Sequence, residues 1–540
     1  MAPTHGYEEI EGRYKEYAYS PVSASSTSAV YHSTTLGTYP KENGAGTSNC
    51  RINVNNSVQK KRRVAEMAEK GSTLPQYIAA ATANLCVVGT GAMLGWTSPI
   101  GTSLMSNGTD SGSPLSGPIT VDENSWIGSL VAIGAMLGSF IAGDLAERFG
   151  RKITLLSSVV PFMIGWALIA TAGHVEQLYA ARFVLGIALA FTFTAVPMYC
   201  GEIAETSVRG ALGSFLQLFI SFGLLYSYSI GPYVSYTIFW ILCAAVPIVF
   251  VVCFIFMPES PYYLMKVGKR DAAISALAKL RSKSTAGVEK EADEMEAAIQ
   301  EAFKEEAKLS DLFTVKANFK ALIFTCLMAS FQQLSGINVV LFYMGTIFES
   351  AKSSLPSAVS TIIVGAVQLA ASGVTPIVVD RLGRKMLLIF SGVGEIVSLT
   401  ALGIYFYLQK YDAASVESIS FLPVVSLIIF IATYCVGWGP LPWTVMGEMF
   451  SSTVKSKASG ITVCVCWFLA FIMTKFASTL QNAFGAYTLY WLCAVFCLIS
   501  VLFTIFILPE TKGKSLQEIQ DELNGFSSEV PEFNGSGSKK

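Results

Sequence analysis

Long apolar runs separated by short polar stretches dominate the chain. Twelve of them approach the roughly 20 residues that a helix needs to cross a bilayer. They lie near 79–101, 125–143, 154–172, 178–200, 211–231 and 237–257, then near 318–345, 358–379, 386–407, 422–446, 457–480 and 485–508. Backbone in hydrocarbon must satisfy its own hydrogen bonds, and runs of this length do so as helices rather than barrel strands. The pattern predicts an all-α polytopic membrane protein with twelve transmembrane helices in two six-helix halves, residues 71–257 and 317–508. Residues 1–70 are rich in Ser, Thr, Gly and Tyr without an apolar run, which predicts a disordered tail and no signal peptide, so that the first span directs insertion. Residues 258–316 are charged, with apolar spacing suited to short amphipathic helices linking the halves. In the tail 509–540, Ser515-Leu516-Gln517-Glu518 is a capping-box pattern that opens a short helix.

Composition sharpens this reading. The chain is 52% hydrophobic and only 14% charged, with a mean hydropathy of +0.50, which excludes a soluble domain and makes lipid the main solvent. A net charge of −1 gives no footing for a nucleic-acid partner. The 11 cysteines are scattered through apolar spans without a Cys-x-x-Cys, so they read as packing residues and neither a metal nor a disulfide framework is expected. Gly513-Lys514-Ser515 has the end of a phosphate loop, but Leu508 stands where the first glycine belongs, so no nucleotide site follows. No cofactor is implied, and the spans offer neither a nucleophile–base pair nor a metal cluster for an enzyme.

Charge sets the orientation. Arg148, Arg151, Lys152, Arg209, Lys266, Lys269, Arg270, Arg381, Arg384, Lys385, Lys455 and Lys457 all fall in alternate links, which therefore face the cytoplasm together with both termini. The link from Thr102 to Asn124 has no Lys or Arg and is expected outside, where its sequon at Asn107 is a glycosylation acceptor. The sequons at Asn55 and Asn534 fall on the cytoplasmic side and read as chance.

The chain is also built twice. Glu147-Arg148-Phe149-Gly150-Arg151-Lys152 returns as Asp380-Arg381-Leu382-Gly383-Arg384-Lys385, the Glu202 to Arg209 stretch as Glu448 to Lys455, and Pro258-Glu259-Ser260 as Pro509-Glu510-Thr511. Repeats of this kind in a membrane chain point to a transporter whose halves rock about a central site.

Candidate chemistry lies in uncharged polar residues at lipid depth. Gln332, Gln333, Ser335 and Asn338 crowd the seventh span beside Gly336, and an unpaired amide there costs several kcal/mol. Amides both donate and accept, which matches the vicinal diol of a sugar. Gln217 and Gln368 add further amides, and Trp443 and Trp467 add flat faces for the CH side of a sugar ring. Any one of these alone reads as a helix-packing hydrogen bond or a filler; together they outline a neutral-sugar site.

From the first span to Gly513 the chain resembles the sugar porters of the major facilitator superfamily, and within them the animal facilitative glucose transporters and the insect facilitated trehalose transporters. The resemblance rests on Arg182, Pro197-Met198-Tyr199, Gly201-Glu202, Arg209-Gly210, Pro258-Glu259-Ser260-Pro261, Gln332-Gln333-Leu334-Ser335-Gly336-Ile337-Asn338, Gly439-Pro440-Leu441-Pro442-Trp443 and Pro509-Glu510-Thr511-Lys512-Gly513. It implies the major facilitator fold, sugar-binding roles for Gln217, Gln332, Gln333, Asn338 and Trp443, and a place for Trp467 at the tryptophan of span eleven. It also implies a salt-bridge network closing the cytoplasmic side, made of Glu147, Arg148, Arg151, Glu202 and Arg209 with the copies Asp380, Arg381, Arg384, Glu448 and Lys455. These are expected to pair across the halves in the outward-facing state and to part when the site opens inward. The chain departs from the family at Gln368, at Phe342-Tyr343 and at Cys466. It departs again at Tyr262, and at Lys455, which replaces an arginine and loses bidentate pairing.

Proton-linked members of this family carry an acid in span one that can release the arginine of span four. Gly95-Trp96-Thr97 has none, which favours passive transport, with Arg182 kept for structure or gating. Glu395 stands against this reading as an acid near mid-depth, a functional candidate whose plainer role is a locally hydrogen-bonded carboxyl facing the bundle. Lys475, near the outer end of span eleven, reads as a snorkelling lysine. The expected function is a plasma-membrane uniporter that moves a neutral sugar by alternating access, trehalose first. The alternatives are a glucose or hexose carrier, a proton-coupled symporter and, with less support, a non-transporting sugar sensor.

Overall fold

The computed structural model describes residues 71–106, 115, 117–304, 310–450, 452–514 and 516–524. The sequons at Asn55, Asn107 and Asn534 and the capping serine Ser515 lie outside them. Helix is the only regular structure among the described residues, and twelve helices are long and apolar enough to cross a membrane. Spans 1–6 run Leu74–Met105, Val121–Phe149, Arg151–Ala170, Val175–Ile203, Arg209–Tyr233 and Tyr236–Phe254. Spans 7–12 run Lys316–Ala351, Ser357–Val379, Arg384–Tyr411, Leu422–Met449, Lys457–Phe484 and Ala486–Phe506.

Two spans are broken where sequence demands it. Span 7 stops at Leu334 and resumes at Ile337, with Gly336 at φ +85° between the pieces, a left-handed conformation that glycine adopts without strain. Span 10 stops at Val436 and resumes at Leu441, because Pro440 and Pro442 supply no amide hydrogen to the preceding turn. Each break frees backbone carbonyls inside the bundle, where only a partner or a wet cavity can satisfy them. The two halves meet along seams of span 2 with span 11, span 5 with span 8, and the Thr97–Met105 end of span 1 with the second piece of span 7.

The charged stretch between the halves forms short helices at Pro261–Lys266, Arg270–Arg281 and Glu289–Lys304. They are fastened to the first half. Buried Arg281 pairs with Glu205 and Glu291 and donates to the Ile203 carbonyl at 2.8 Å. Tyr263 donates to the Arg148 carbonyl at 2.8 Å, and Lys266 pairs with Glu147.

The sequence repeat is a structural repeat. Spans 3 and 9 both start just after a glycine at positive φ, Gly150 at +99° and Gly383 at +89°. Their first amides are capped by a carboxylate from a distant loop. Glu259 accepts from the amides of Arg151 and Lys152 at 3.1 and 3.0 Å, and Glu510 accepts from those of Arg384 and Lys385 at 3.1 and 3.0 Å. Burial raises the pKa of the Glu510 carboxyl, but the amides of Lys512, Lys385 and Arg384 outweigh burial and hold it below the usual carboxylate range. A Cβ on Gly150 would stand 2.3 Å from a Glu259 oxygen, whereas on Gly383 it would stand 3.2 Å from Glu510. Gly150→Ala is therefore expected to lower the thermal midpoint of the purified protein by more than Gly383→Ala, although both also meet the cost of about 1–3 kcal/mol that a side chain carries at positive φ with extended ψ. Equal midpoints for the two variants would contradict the steric account.

Candidate functional site

The polar residues of span 7 form one cluster with the break in span 10. Gln332 donates both hydrogens of its amide nitrogen to the carbonyls of Trp438 and Gly439, each at 2.8 Å, so the freed carbonyls of span 10 are satisfied, while the Gln332 oxygen accepts a long bond from the Cys466 thiol at 4.0 Å and keeps a further lone pair. Gln333 donates to the Cys466 sulfur at 3.1 Å and accepts from the Asn338 amide at 2.6 Å. Gln332 and Gln333 are buried and Asn338 half-buried. The amide order Asn338 to Gln333 to Cys466 leaves the Asn338 oxygen free to accept and one hydrogen on each amide nitrogen free to donate. Cys466 thus enters the cluster both as a soft acceptor from Gln333 and as a weak donor to Gln332, at one of the positions where the sequence departs from its family.

Gln217 and Gln368 stand apart from this cluster, on the seam of spans 5 and 8. One turn beyond each of them, Ser221 and Ser372 join hydroxyl to hydroxyl at 2.8 Å across the halves. Gln368 is buried with its side-chain oxygen unpartnered, and half-buried Gln217 has no side-chain hydrogen bond among the described residues. Trp467 is half-buried and meets Phe193 edge-on at 6.3 Å across the halves, while Trp443 is half-buried at the start of the second piece of span 10.

Arg182 is fully buried and has no acid beside it. It donates to the carbonyls of Ile127 at 3.0 Å and Met93 at 2.8 Å, and to the Thr97 hydroxyl at 2.7 Å, with Trp96 under the guanidinium at 5.7 Å. Neutral oxygens and a π face hold this charge, and among the described residues no Asp or Glu pairs with it. Glu395 is equally buried. It accepts from the Ser391 hydroxyl at 2.9 Å and from the Cys497 thiol at 3.5 Å, which agrees with the plainer reading of a hydrogen-bonded carboxyl facing the bundle.

The charged motifs at the basic end close within each half. Arg151 pairs with Glu147 and, at 2.8 Å, with Glu202, which also accepts from Ser260. Arg384 pairs with Glu448 at 2.8 Å, which also accepts from Thr511 at 2.6 Å. Arg148 pairs with Asp144 within its helix, and Lys455 donates to the Gly447 carbonyl rather than to a carboxylate. Arg209 is exposed beside a surface cleft with Glu205 and Lys283, and Arg381 is exposed. Among the described residues no ion pair joins these motifs across the halves. The expected cross-half latch is not formed among the described residues, where Glu147, Glu202 and Glu448 are already engaged within their own halves.

The polar contacts that do join the halves lie at mid-depth or at the opposite end. Besides the two serines, Tyr228 donates to the Leu341 carbonyl at 2.8 Å and the Gly345 amide donates to Ser98 at 2.9 Å. Lys475 corrects the snorkelling expectation: it is only 6% exposed, pairs with Asp122, donates to Ser125 at 2.8 Å and lies 4.4 Å over the Trp126 ring. Its partner was missed in the sequence, although a lysine inside a span calls for an acid near its own depth. Asp122 lies between the capping residues Thr120 and Glu123 at the start of span 2.

Residues 83–523 match the family model described as sugar (and other) transporter. Among curated proteins, the chain is 34% identical over 462 residues to the facilitated trehalose transporter Tret1-2 homolog of Drosophila simulans, an alignment covering 85% of this chain and 93% of that one. It is 35% identical over 412 residues to the facilitated trehalose transporter Tret1 of Bombyx mori, covering 76% and 81%. Among solved structures, the proton:xylose symporter XylE bound to 6-bromo-6-deoxy-D-glucose aligns with a TM-score of 0.66 at 24% identity over 82% of this chain and 99% of that one. The inward open conformation of XylE from E. coli aligns at 0.65 and 23% identity, over 83% and 98%. These likenesses carry the fold.

Proposed function

Because this chain belongs to the sugar transporter family, a multi-pass membrane protein with the alternating-access fold of the major facilitator superfamily, we propose that it is a uniporter for a neutral sugar, with trehalose as its first substrate. The observation that carries the passive reading is Arg182, whose charge is held by Thr97 and two carbonyls instead of by a titratable acid. The trehalose assignment is supported by its relatives, which are facilitated trehalose transporters, and a hexose is the second reading.

In this reading the basic end faces the cytoplasm, the protein resides in the plasma membrane, and residues 1–70 and 509–540 are cytoplasmic tails flanking the two halves and the 258–316 linker. The polar bridges between the halves then lie at mid-depth and outside, which makes this an inward-facing state. Sugar hydroxyls donate to the oxygens of Gln332, Asn338 and Gln368 and accept from Gln333 and Gln217, with Trp443 and Trp467 against the ring faces. Rocking the halves breaks the outer bridges and brings the cytoplasmic motifs together, exposing the same site to the other side.

The test is uptake of labelled trehalose by cells expressing the chain, with and without a protonophore. Uptake is expected to be unchanged by the protonophore. Uptake that collapses with it would overturn passive transport, and glucose uptake without trehalose uptake would select the hexose reading.

A further inference from the structure

Glu395 is the one buried acid of span 9, and the transport cycle outlined above gives it no task. It is 1% exposed, and no Lys or Arg among the described residues pairs with it. An acid held at lipid depth without a counter-ion is retained against its cost only where its hydrogen bonds matter.

Those bonds lead to the sugar site. Ser391, fully buried, has one hydroxyl hydrogen, and it is given to Glu395 at 2.9 Å. That fixes the serine rotamer and turns its lone pair toward the Trp438 amide, which donates to it at 3.2 Å. The carbonyl of the same Trp438 accepts from the Gln332 amide at 2.8 Å. Spans 9 and 10 also touch most closely here: a Cβ on Gly437 would lie 2.3 Å from the Ser391 Cβ. The Trp438 indole adds a bond to the Leu388 carbonyl at 3.1 Å. The break in span 10 is thus seated on span 9 by a serine whose orientation Glu395 sets.

We propose that Glu395 is a positioning residue for sugar binding, acting through Ser391 and the Trp438 peptide on Gln332. It never touches the sugar. Its task is to keep the span 10 break in the one geometry that occupies both Gln332 hydrogens and leaves its oxygen, met only by the distant Cys466 thiol at 4.0 Å, with a lone pair for the substrate, as an outer partner orients a ligand at a metal centre. The role needs an acceptor at this position and does not need a charge, so Gln serves and Leu does not.

This inference rests on the sugar-transport reading, and two measurements keep them separable. In uptake assays at equal surface expression, Glu395→Leu is expected to raise KM about five- to tenfold with kcat within about twofold, while Glu395→Gln keeps KM within about twofold of the parent. Ser391→Ala should raise KM similarly, and the double variant should be no worse than either single one, since both cut the same chain of bonds. In hydrogen–deuterium exchange on the full chain in lipid nanodiscs, without any sugar, the segment around Trp438 should exchange about tenfold faster in Glu395→Leu and be restored in Glu395→Gln. Leu is as large as Glu and suits an apolar span, so the variant is expected to reach the membrane. An unshifted KM, or exchange around Trp438 that is unchanged in Glu395→Leu, would overturn the inference whichever sugar is carried. A parent chain that carries neither trehalose nor glucose would overturn both it and the transport reading.

Discussion

Gln332→Ala is expected to reduce sugar uptake by at least about a hundredfold at unchanged surface expression, the combined cost of two buried carbonyls left unpaired and one lost substrate contact at about 1–3 kcal/mol each. The two carbonyls are those of Trp438 and Gly439, which the Gln332 amide satisfies in the parent. The loss should be local, because the rest of span 10 is anchored independently by the Trp438 indole on Leu388 and by Thr375 on the Cys435 carbonyl at 2.9 Å. Trp443→Ala should have a comparable effect for another reason, removal of an aromatic face whose stacking and burial supply about 1–3 kcal/mol. Surface biotinylation beside uptake separates lost transport from lost protein. Normal uptake by both variants would dispose of the site.

Lys475→Met is expected to open the outer side. The ammonium is bound by Asp122, Ser125 and the Trp126 ring, bonds that join span 11 of one half to span 2 of the other. Charge-assisted hydrogen bonding and a shielded cation–π contact together contribute about 2–3 kcal/mol, so the ratio of outward- to inward-facing molecules should rise roughly 30- to 150-fold. Ser98→Cys reports this, since Ser98 is buried at the outer seam against Gly345. Its modification by a membrane-impermeant thiol reagent should accelerate in the Lys475→Met background and equally in Asp122→Asn. Unchanged labelling would mean that the pair is structural and does not gate.

Most of the architecture was legible because it follows from one-dimensional rules. Length and apolarity give twelve spans, basic links give a direction, and the recurring Gly150 and Gly383 motifs give two copies. The amides of span 7 were legible because polar groups at lipid depth must have partners. Which partner each one takes was not. Helices such as span 6 are apolar on every side and carry no periodic stripe to fix their rotation, so the meeting of Lys475 with Asp122, or of Arg182 with Thr97, depends on tilts and rotations set by packing alone. Sequence named the charged motifs, but their pairing within halves rather than between them belongs to the conformational state. The link from Glu395 to Gln332 was hidden for a further reason: it passes through a backbone amide, and only the broken geometry at Gly437 leaves that amide free to meet Ser391.

The surroundings of Arg182 bear on the direction of flux. In the proposed uniport cycle a neutral cargo crosses with no co-ion, and the buried guanidinium keeps its charge in loaded and empty carrier alike. The membrane potential, worth about 2.3 kcal/mol per elementary charge at 100 mV, therefore has no net charge to act on over a complete cycle. Microscopic reversibility then requires the ratio kcat/KM to be equal for influx and efflux, however different the separate constants are on the two faces. Such a protein stores nothing and concentrates nothing; the sugar gradient alone decides which way it runs.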